Sequence, residues 1–334
     1  MSRSSSRRIR DVGFTLILVV AFALLPLVYP QEYFVHLLAL SAISTILAMG
    51  LQLVFGYAGQ ISIAHGAFFG IGAYTSALLM LRLGWPFVLA FLAAGAMAAM
   101  WSLVLVPIVR LRGPYLAVAT LGFAILVHLI LLNEEWLTEG PFGLMNVPSP
   151  KIGSWTFGSE ARMYYLCLAC AILIYFGLRR IVSSRFGRAL EAIEQNEEAA
   201  RSCGIDVRLY KIKCFLVAAF TAGLAGSLFA HLTHYLNPND FTFWKSIQII
   251  LMIVVGGLGS LEGAVVGAII MTLLPEYLRA WDDVRLLIYG LLVIVFMAFG
   301  KKGLIGLLQS AVVLARRRLR RTTSSFGLAE KTAK

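Results

Sequence analysis

Polar residues interrupt an apolar run at residues 56–66, where the sequence reads GYAGQISIAHG. Gln60, Ser62 and His65 supply an amide, a hydroxyl and an imidazole there. If a membrane helix is broken at this point, these groups and the freed backbone could form a polar path through the protein. Tight packing is the alternative, because Ser62 and the glycines at four-residue intervals after it would share one helix face. The residues predicted to line the path are Gly59, Gln60, Ser62, His65 and Gly66.

Small residues recur at four-residue spacing further along the chain, at Gly259, Gly263 and Gly267. This spacing lets two membrane helices approach each other closely. His65 is better explained as a hydrogen-bonded packing residue than as a proton carrier. The predicted helix-packing positions are Gly70, Gly259, Gly263 and Gly267.

A charged segment at residues 187–204 has helical spacing, and Gly204 is a suitable residue to end the helix. It carries four acids within eight residues, which are Glu191, Glu194, Glu197 and Glu198. One interpretation is an amphipathic helix lying on the membrane surface, but the anionic inner leaflet would repel these carboxylates. A single short helix that projects into the cytoplasm and binds a protein partner agrees better with them.

Signatures of enzymes and metal sites are missing from the sequence. It has no G-x-x-x-x-G-K-[ST] phosphate loop, so we do not expect this chain to hydrolyse ATP itself. No spacing of His or Cys suits a metal ion, and no cofactor is predicted. Cys167 and Cys170 lie in an apolar run, which favours a packing role. An intramembrane enzyme is disfavoured, because no acid, histidine and nucleophile converge.

Carboxylates inside the apolar runs would indicate coupling to protons or sodium. The acids of this chain instead fall at the ends of the runs or in loops: Glu32, Asp240, Glu262, Glu276, Asp282 and Asp283. An ion-coupled secondary transporter therefore has no evident coupling group. Glu262 is explained by the helix N-terminus at which it lies.

Apolar residues dominate the composition, with 59% hydrophobic residues and a mean hydropathy of +0.82. Repeated apolar runs of roughly 15 to 25 residues predict an all-α polytopic membrane protein. The basic start is interpreted as leading into a first membrane helix rather than as part of a cleaved signal peptide. About ten transmembrane helices are predicted, at residues 13–30, 34–55, 61–81, 86–109, 115–132, 163–181, 212–233, 245–258, 262–279 and 285–300.

The basic residues predict the orientation of the chain. With both termini in the cytoplasm, 23 of the 29 lysines and arginines fall on the inner side, as the positive-inside rule requires. The net charge of +12 is therefore attributed to topology rather than to nucleic-acid binding. The outer loop at residues 133–162 is acidic, and it is either a solvated connector or a docking surface for an extracytoplasmic partner. The predicted parts are a basic cytoplasmic N-terminus (1–12), a transmembrane domain (13–300) with an outer loop (133–162) and a cytoplasmic loop (182–211), and a basic cytoplasmic tail (301–334).

Three motifs, in this order, resemble the permease subunits of branched-chain amino-acid ABC importers. They are GYAGQIS (56–62) with GAFFGIGAY (66–74), the segment 187–206, and GGLGSLEG (256–263). The resemblance covers residues 45–275, and it identifies the second motif as a cytoplasmic coupling loop. The coupling-loop residues that it implies are Gly187, Arg188, Glu191, Ala192, Asn196, Glu198 and Gly204.

The resemblance also implies partners and a mechanism. The chain would be a permease of a bacterial-type inner membrane, surrounded by lipid and without nucleic-acid partners. It would work with a second related permease, two cytoplasmic ABC ATPases and an extracytoplasmic substrate-binding protein. ATP-driven alternating access would then carry branched-chain or related hydrophobic amino acids. A urea or short-amide importer uses similar permeases and stays open at this point, because specificity in such systems lies largely in the binding protein.

Overall fold

Helices form nearly all of the structure. A computed structural model of the protein describes residues 31–278 except Arg112 and Ser154, together with Phe22, residues 24–26 and Gly290. The helices are α1 (Glu32–Gln52), α2 (His65–Leu83), α3 (Phe87–Ser102), α4 (Pro114–Asn133), α5 (Glu135–Thr138), α6 (Glu160–Ser183), α7 (Arg185–Gln195), α8 (Glu197–Ser202), α9 (Val207–Thr233), α10 (Phe243–Gly256) and α11 (Leu261–Tyr277). Strands β1 (Lys151–Ile152) and β2 (Trp155–Thr156) form an antiparallel hairpin.

Six of these helices are long and apolar enough to cross a membrane, which agrees with an all-α polytopic membrane protein. They are α1, α2, α3, α4, α6 and α9, and they correspond to six of the predicted spans. The described residues contain seven spans if α10 and α11 together count as one. The predicted number of about ten is not confirmed. The predicted spans 13–30 and 285–300 lie almost wholly outside the described residues, as do the two predicted termini.

The predicted spans 245–258 and 262–279 are instead a bent pair of short helices. Helices α10 and α11 have 14 and 17 residues and meet at an angle of 119°. A helix of 14 residues is about 21 Å long, well short of the ~30 Å hydrocarbon core of a bilayer. Gly257 and Gly259 adopt positive φ angles at the turn, a conformation that glycine tolerates because it has no β-carbon. This segment therefore does not form two separate full-length spans.

Helix α1 lies at the centre of the described bundle, with 89% of its apolar window buried. It packs against α6, α9, α10 and α11. The corresponding windows of α3, α4 and α6 are only 33% buried. Their uncovered apolar faces are suited to lipid or to a neighbouring membrane subunit.

Helices α2, α3 and α9 pack with their backbones in contact. A β-carbon added at Gly72 in α2 would overlap the backbone of Gly223 in α9. One added at Gly223 would lie 2.5 Å from the carbonyl oxygen of Ala94 in α3, and one at Gly226 would overlap the carbonyl of Phe69. Glycines at these positions let the helices approach more closely than larger residues would.

The connection between α4 and α6, which includes the hairpin, is tied to the end of α9. Leu144 and Leu236 exchange two backbone hydrogen bonds of 2.9 and 3.0 Å, and the amide of Val147 donates to the carbonyl of His234 at 3.1 Å. These bonds satisfy backbone groups outside the helices and fix the connection against the bundle.

Candidate functional site

The polar segment after α1 is a break between two helices. Helix α1 ends in a π-helical turn at Leu53–Tyr57, and Gly59 follows with a positive φ of 64°. The chain then runs without helical structure to Ala64. The amide of Ile63 donates to the hydroxyl of Thr120 at 2.9 Å, in place of a bond within a helix. Helix α2 begins only at His65.

This start of α2 corrects the predicted span 61–81. Ser62 lies in the break and does not share a helix face with Gly66 and Gly70, contrary to the prediction. Gly66 and Gly70 are both in α2 and face the segment that leads into α10. The amide of Gly66 donates to the hydroxyl of Ser246 at 2.8 Å, and a β-carbon at Gly70 would lie 2.9 Å from the ring of Phe241.

The polar side chains of the break are buried. Gln60, Ser62 and His65 are exposed by 6%, 3% and 2%. The side-chain nitrogen of Gln60 donates to the carbonyl of Ala58 at 3.2 Å, but its oxygen has no hydrogen-bond partner in the described part of the chain. The same holds for Nε2 of His65. Buried polar atoms without partners are rare in folded proteins, so both atoms lack a hydrogen bond that a polar group in such a position normally makes.

The turn of the bent pair lies directly against the end of α1. The side-chain amide of Gln52 donates to the carbonyl oxygens of Gly257 and Ser260, at 3.0 and 3.1 Å. A β-carbon at Gly56 would stand 2.8 Å from the amide nitrogen of Gly259. Two helix breaks that are about 200 residues apart in sequence therefore form one junction.

Two of the predicted packing glycines, Gly263 and Gly267, lie in α11 and contact α10. A β-carbon at Gly263 would lie 2.9 Å from the carbonyl oxygen of Gly256, and one at Gly267 would lie 2.8 Å from its amide nitrogen. Gly259 belongs to neither helix and lies in the turn, where an added β-carbon would meet only the carbonyl oxygen of Gly56 among the described residues, at 3.7 Å.

The charged segment contains two helices, α7 and α8, rather than one helix over 187–204. The break is at Asn196, whose backbone is extended and whose side-chain oxygen accepts hydrogen bonds from the amides of Glu198 and Ala199 at 2.9 and 3.1 Å. This is the pattern of an N-cap, which starts a new helix. Gly204 follows the last turn of α8 with a positive φ of 81°.

Gly187 lies inside α7, not in a turn before it. A β-carbon there would overlap the carbonyl of Val182 at the end of α6, so glycine allows the two helices to meet at this angle. Arg188, Glu191 and Glu198 are exposed on the surface of the pair.

A small apolar cluster holds α7 and α8 together. It contains Ile193, Ala200 and Val207, and Ala192 packs against it while half-buried. Lys211 of α9, which is only 3% exposed, forms an ion pair with Glu197 of α8. Nothing in the sequence pattern indicated this pair, because Lys211 lies just before an apolar run.

The charged segment reaches the first helix break. The backbone of Gly59 lies so close to Glu194 that a β-carbon at Gly59 would be 3.2 Å from its Cγ. A cavity of about 230 Å³ lies between the two segments and is lined by residues 58–60 and 193–198. The structure thus brings together all three sequence motifs: the break after α1, the turn of the bent pair and the charged helices.

The second helix break is also connected to α6, which leads into α7. The hydroxyl of Tyr175 in α6 donates to the carboxylate of Glu262 at 2.8 Å, and Arg179 donates to that hydroxyl at 3.3 Å. Glu262 also accepts from Ser260 at 3.3 Å, at the start of α11. A movement of α6, or of α7 that follows it, would therefore act on the turn of the bent pair through the hydrogen bond between Tyr175 and Glu262.

Apolar spans, two joined helix breaks and a charged helical pair beside them define a membrane transport permease. The chain belongs to the family described as "Branched-chain amino acid transport system / permease component", which matches residues 33–297. It is a permease subunit.

Individual relatives agree with this family. The chain is similar to the high-affinity branched-chain amino acid transport system permease protein LivM of Escherichia coli K12, with 34% identity over 81% of this chain and 69% of the relative. It is similar to LivH of the same system and organism, with 30% identity over 68% and 78% of the two chains. The galactofuranose transporter permease protein YtfT of E. coli is 30% identical over 68% of this chain and 66% of that protein. No solved structure matches the chain.

Proposed function

We propose that this chain forms part of the translocation path of an ATP-driven importer of branched-chain amino acids in a bacterial-type inner membrane. The names of the LivM and LivH relatives support the substrate class. The same two names support a second, related permease as the membrane partner. Two cytoplasmic ABC ATPases would hydrolyse the ATP, and an extracytoplasmic binding protein would deliver the substrate.

The observation that carries the proposal is the contact of the charged helices with the break after α1. Glu194 of α7 lies next to the backbone of Gly59, and Glu191 is exposed on the surface of α7. An ATPase bound to α7 and α8 would move these helices, and the contact between Glu194 and Gly59 would transmit the movement to the break after α1. The hydrogen bonds of Gln52 would transmit it further to the turn between α10 and α11.

The break itself is suited to a passing hydrophobic zwitterion. Gln60 and His65 each offer one unpartnered polar atom among the described residues. Their neighbours in sequence include the small residues Gly59, Ala64 and Gly66. Ser62 adds a buried hydroxyl. A few polar anchors on a path of small residues would hold the charged end of an amino acid weakly, which transport requires because the substrate must also leave.

Docking can be tested with a bulky charge on the exposed surface of α8. We expect Ala199→Arg to block ATPase binding, because Ala199 is exposed and a long side chain there disturbs no internal contact. Ala192→Arg should have the same effect, but it would also disturb the small apolar cluster. The matched control is Ala161→Arg, at an exposed alanine in the first turn of α6, at the far end from α7.

The measurement is co-purification of the ATPases and ATP-dependent uptake of labelled leucine by vesicles that contain the assembled importer. Ala199→Arg should abolish both, and Ala161→Arg should leave both at the parental level. Full uptake by Ala199→Arg would overturn the docking assignment. Uptake by vesicles without the ATPases would instead favour a secondary transporter, and uptake of urea but not leucine would favour the short-amide alternative.

A further inference from the structure

A second cavity lies on the other side of the charged helices, and the function proposed above does not use it. It has a volume of about 350 Å³ and lies between the turn after α3, helix α8 and the start of α9. Four of its lining residues are cations, and the full lining consists of Val109, Arg110, Glu197, Arg201, Val207, Arg208 and Lys211.

One of the four cations of this cavity is already neutralised. Lys211 is buried and paired with Glu197. The guanidinium groups of Arg110, Arg201 and Arg208 form no hydrogen bond or ion pair within the part of the chain that the structure describes. Among the described residues, the cavity is therefore lined by three further guanidinium groups and by one carboxylate, that of Glu197, which is paired with Lys211.

Three arginines around one concave space favour a tetrahedral oxyanion. A guanidinium presents five N–H donors in a planar fork, which matches two oxygens of a phosphate at once. Charge-assisted pairs of this kind are stronger than neutral hydrogen bonds. The three arginines come from three different elements, so one phosphate would connect the end of α3, helix α8 and the start of α9.

Exposed apolar side chains lie near the cavity-lining arginines in sequence. Leu103 and Val104 are about half exposed, and they lie one to two turns before Arg110. Leu209, next to Arg208, is also exposed. An acyl chain could lie along these residues while its headgroup occupies the cavity, as basic pockets beside membrane helices bind anionic headgroups.

We propose that this cavity binds a phosphate group, supplied by an anionic phospholipid headgroup or by free phosphate. The bound group would fix α8 against α3 and α9 and so restrain the charged helices. That consequence for transport rests on the proposed function, but the binding does not, and binding is what the test measures.

The experiment uses the purified full chain in nanodiscs. One arm compares thermal stability in phosphatidylglycerol with that in phosphatidylcholine, and the other adds inorganic phosphate against chloride at equal ionic strength. Arg110→Gln and Arg208→Gln each remove one guanidinium group. Arg208→Lys keeps the positive charge but loses the planar set of N–H donors. The matched control is Arg185→Gln, an exposed arginine of α7 that does not line the cavity.

We expect a stabilising effect in at least one arm and an apparent affinity about tenfold weaker in each Gln variant, with Arg185→Gln unchanged. Arg208→Lys should weaken binding less than Arg208→Gln does. Stabilisation by phosphatidylglycerol alone identifies a lipid headgroup as the source, and stabilisation by inorganic phosphate identifies the free ion. No effect in either arm, or an equal loss in the control, would overturn the proposal.

Discussion

The side-chain amide of Gln52 donates a hydrogen bond of 3.0 Å to the carbonyl oxygen of Gly257. A second bond from the same nitrogen reaches Ser260 at 3.1 Å. One buried side chain of α1 thus satisfies two backbone carbonyls at the turn of the bent pair. A helix break inside a membrane protein is tolerated only where other groups satisfy its freed backbone.

We expect Gln52→Leu to destabilise the protein by roughly 1–3 kcal/mol, because it leaves these carbonyls unsatisfied in a buried place. The matched control is Gln248→Leu, since Gln248 is exposed on α10. Thermal unfolding of both variants in the same detergent provides the comparison. Equal melting temperatures for the two variants would show that Gln52 does not hold the turn.

Gly66→Leu should lower stability, because overpacking typically costs about 1–3 kcal/mol. A β-carbon at Gly66 would already stand 2.9 Å from the hydroxyl oxygen of Ser246. Gly122→Leu is the control, because Gly122 lies within α4 with nothing within 4 Å of an added β-carbon. The control should be neutral or slightly stabilising, since leucine has the better helix propensity. A Gly66→Leu variant as stable as the parent would mean that this face of α2 is open.

The predicted topology can be tested with a native cysteine. Cys203 is exposed at the end of α8, whereas Cys167 and Cys214 are buried. In a variant that keeps Cys203 alone, an impermeant thiol reagent should label inside-out vesicles and not intact cells. Ser183→Cys in a cysteine-free background should behave in the same way, and Lys151→Cys in the hairpin should show the opposite pattern. Labelling of Cys203 from outside intact cells would contradict a cytoplasmic position for α7 and α8.

The sequence was sufficient for the long helices, because an unbroken apolar run of about 20 residues has few structural alternatives in a membrane. It could not give the paths of the breaks. Residues 61–64 are apolar enough to look helical, and only the hydrogen bond from Ile63 to Thr120, a contact between distant segments, shows that they are not. The length of the run at 245–279 also did not reveal its 119° bend.

The candidate site was predictable as three separate motifs but not as one junction. Gly59 was singled out by the polar interruption at residues 56–66, and Asn196 by the resemblance to the permease family. Their proximity depends on how α6 and α9 position the charged helices, and local sequence does not encode this. Gln52 and Ser246 were missed, because a single polar residue in or near an apolar run carries no periodic signal. Glu194 was noted as one of four acids, but its contact with Gly59 was not predicted.

The glycine contacts between α2, α3 and α9 restrict how this permease can change shape. Where backbones interlock without side chains between them, the helices cannot slide past one another until they have first separated. These three helices should therefore move as a rigid body during a transport cycle. The hinges would then be the two breaks, at residues 58–64 and 257–260, where the chain leaves one helix before it enters the next. Distance measurements between spin labels on α2 and α9 should stay constant with and without ATP, while distances across the breaks change.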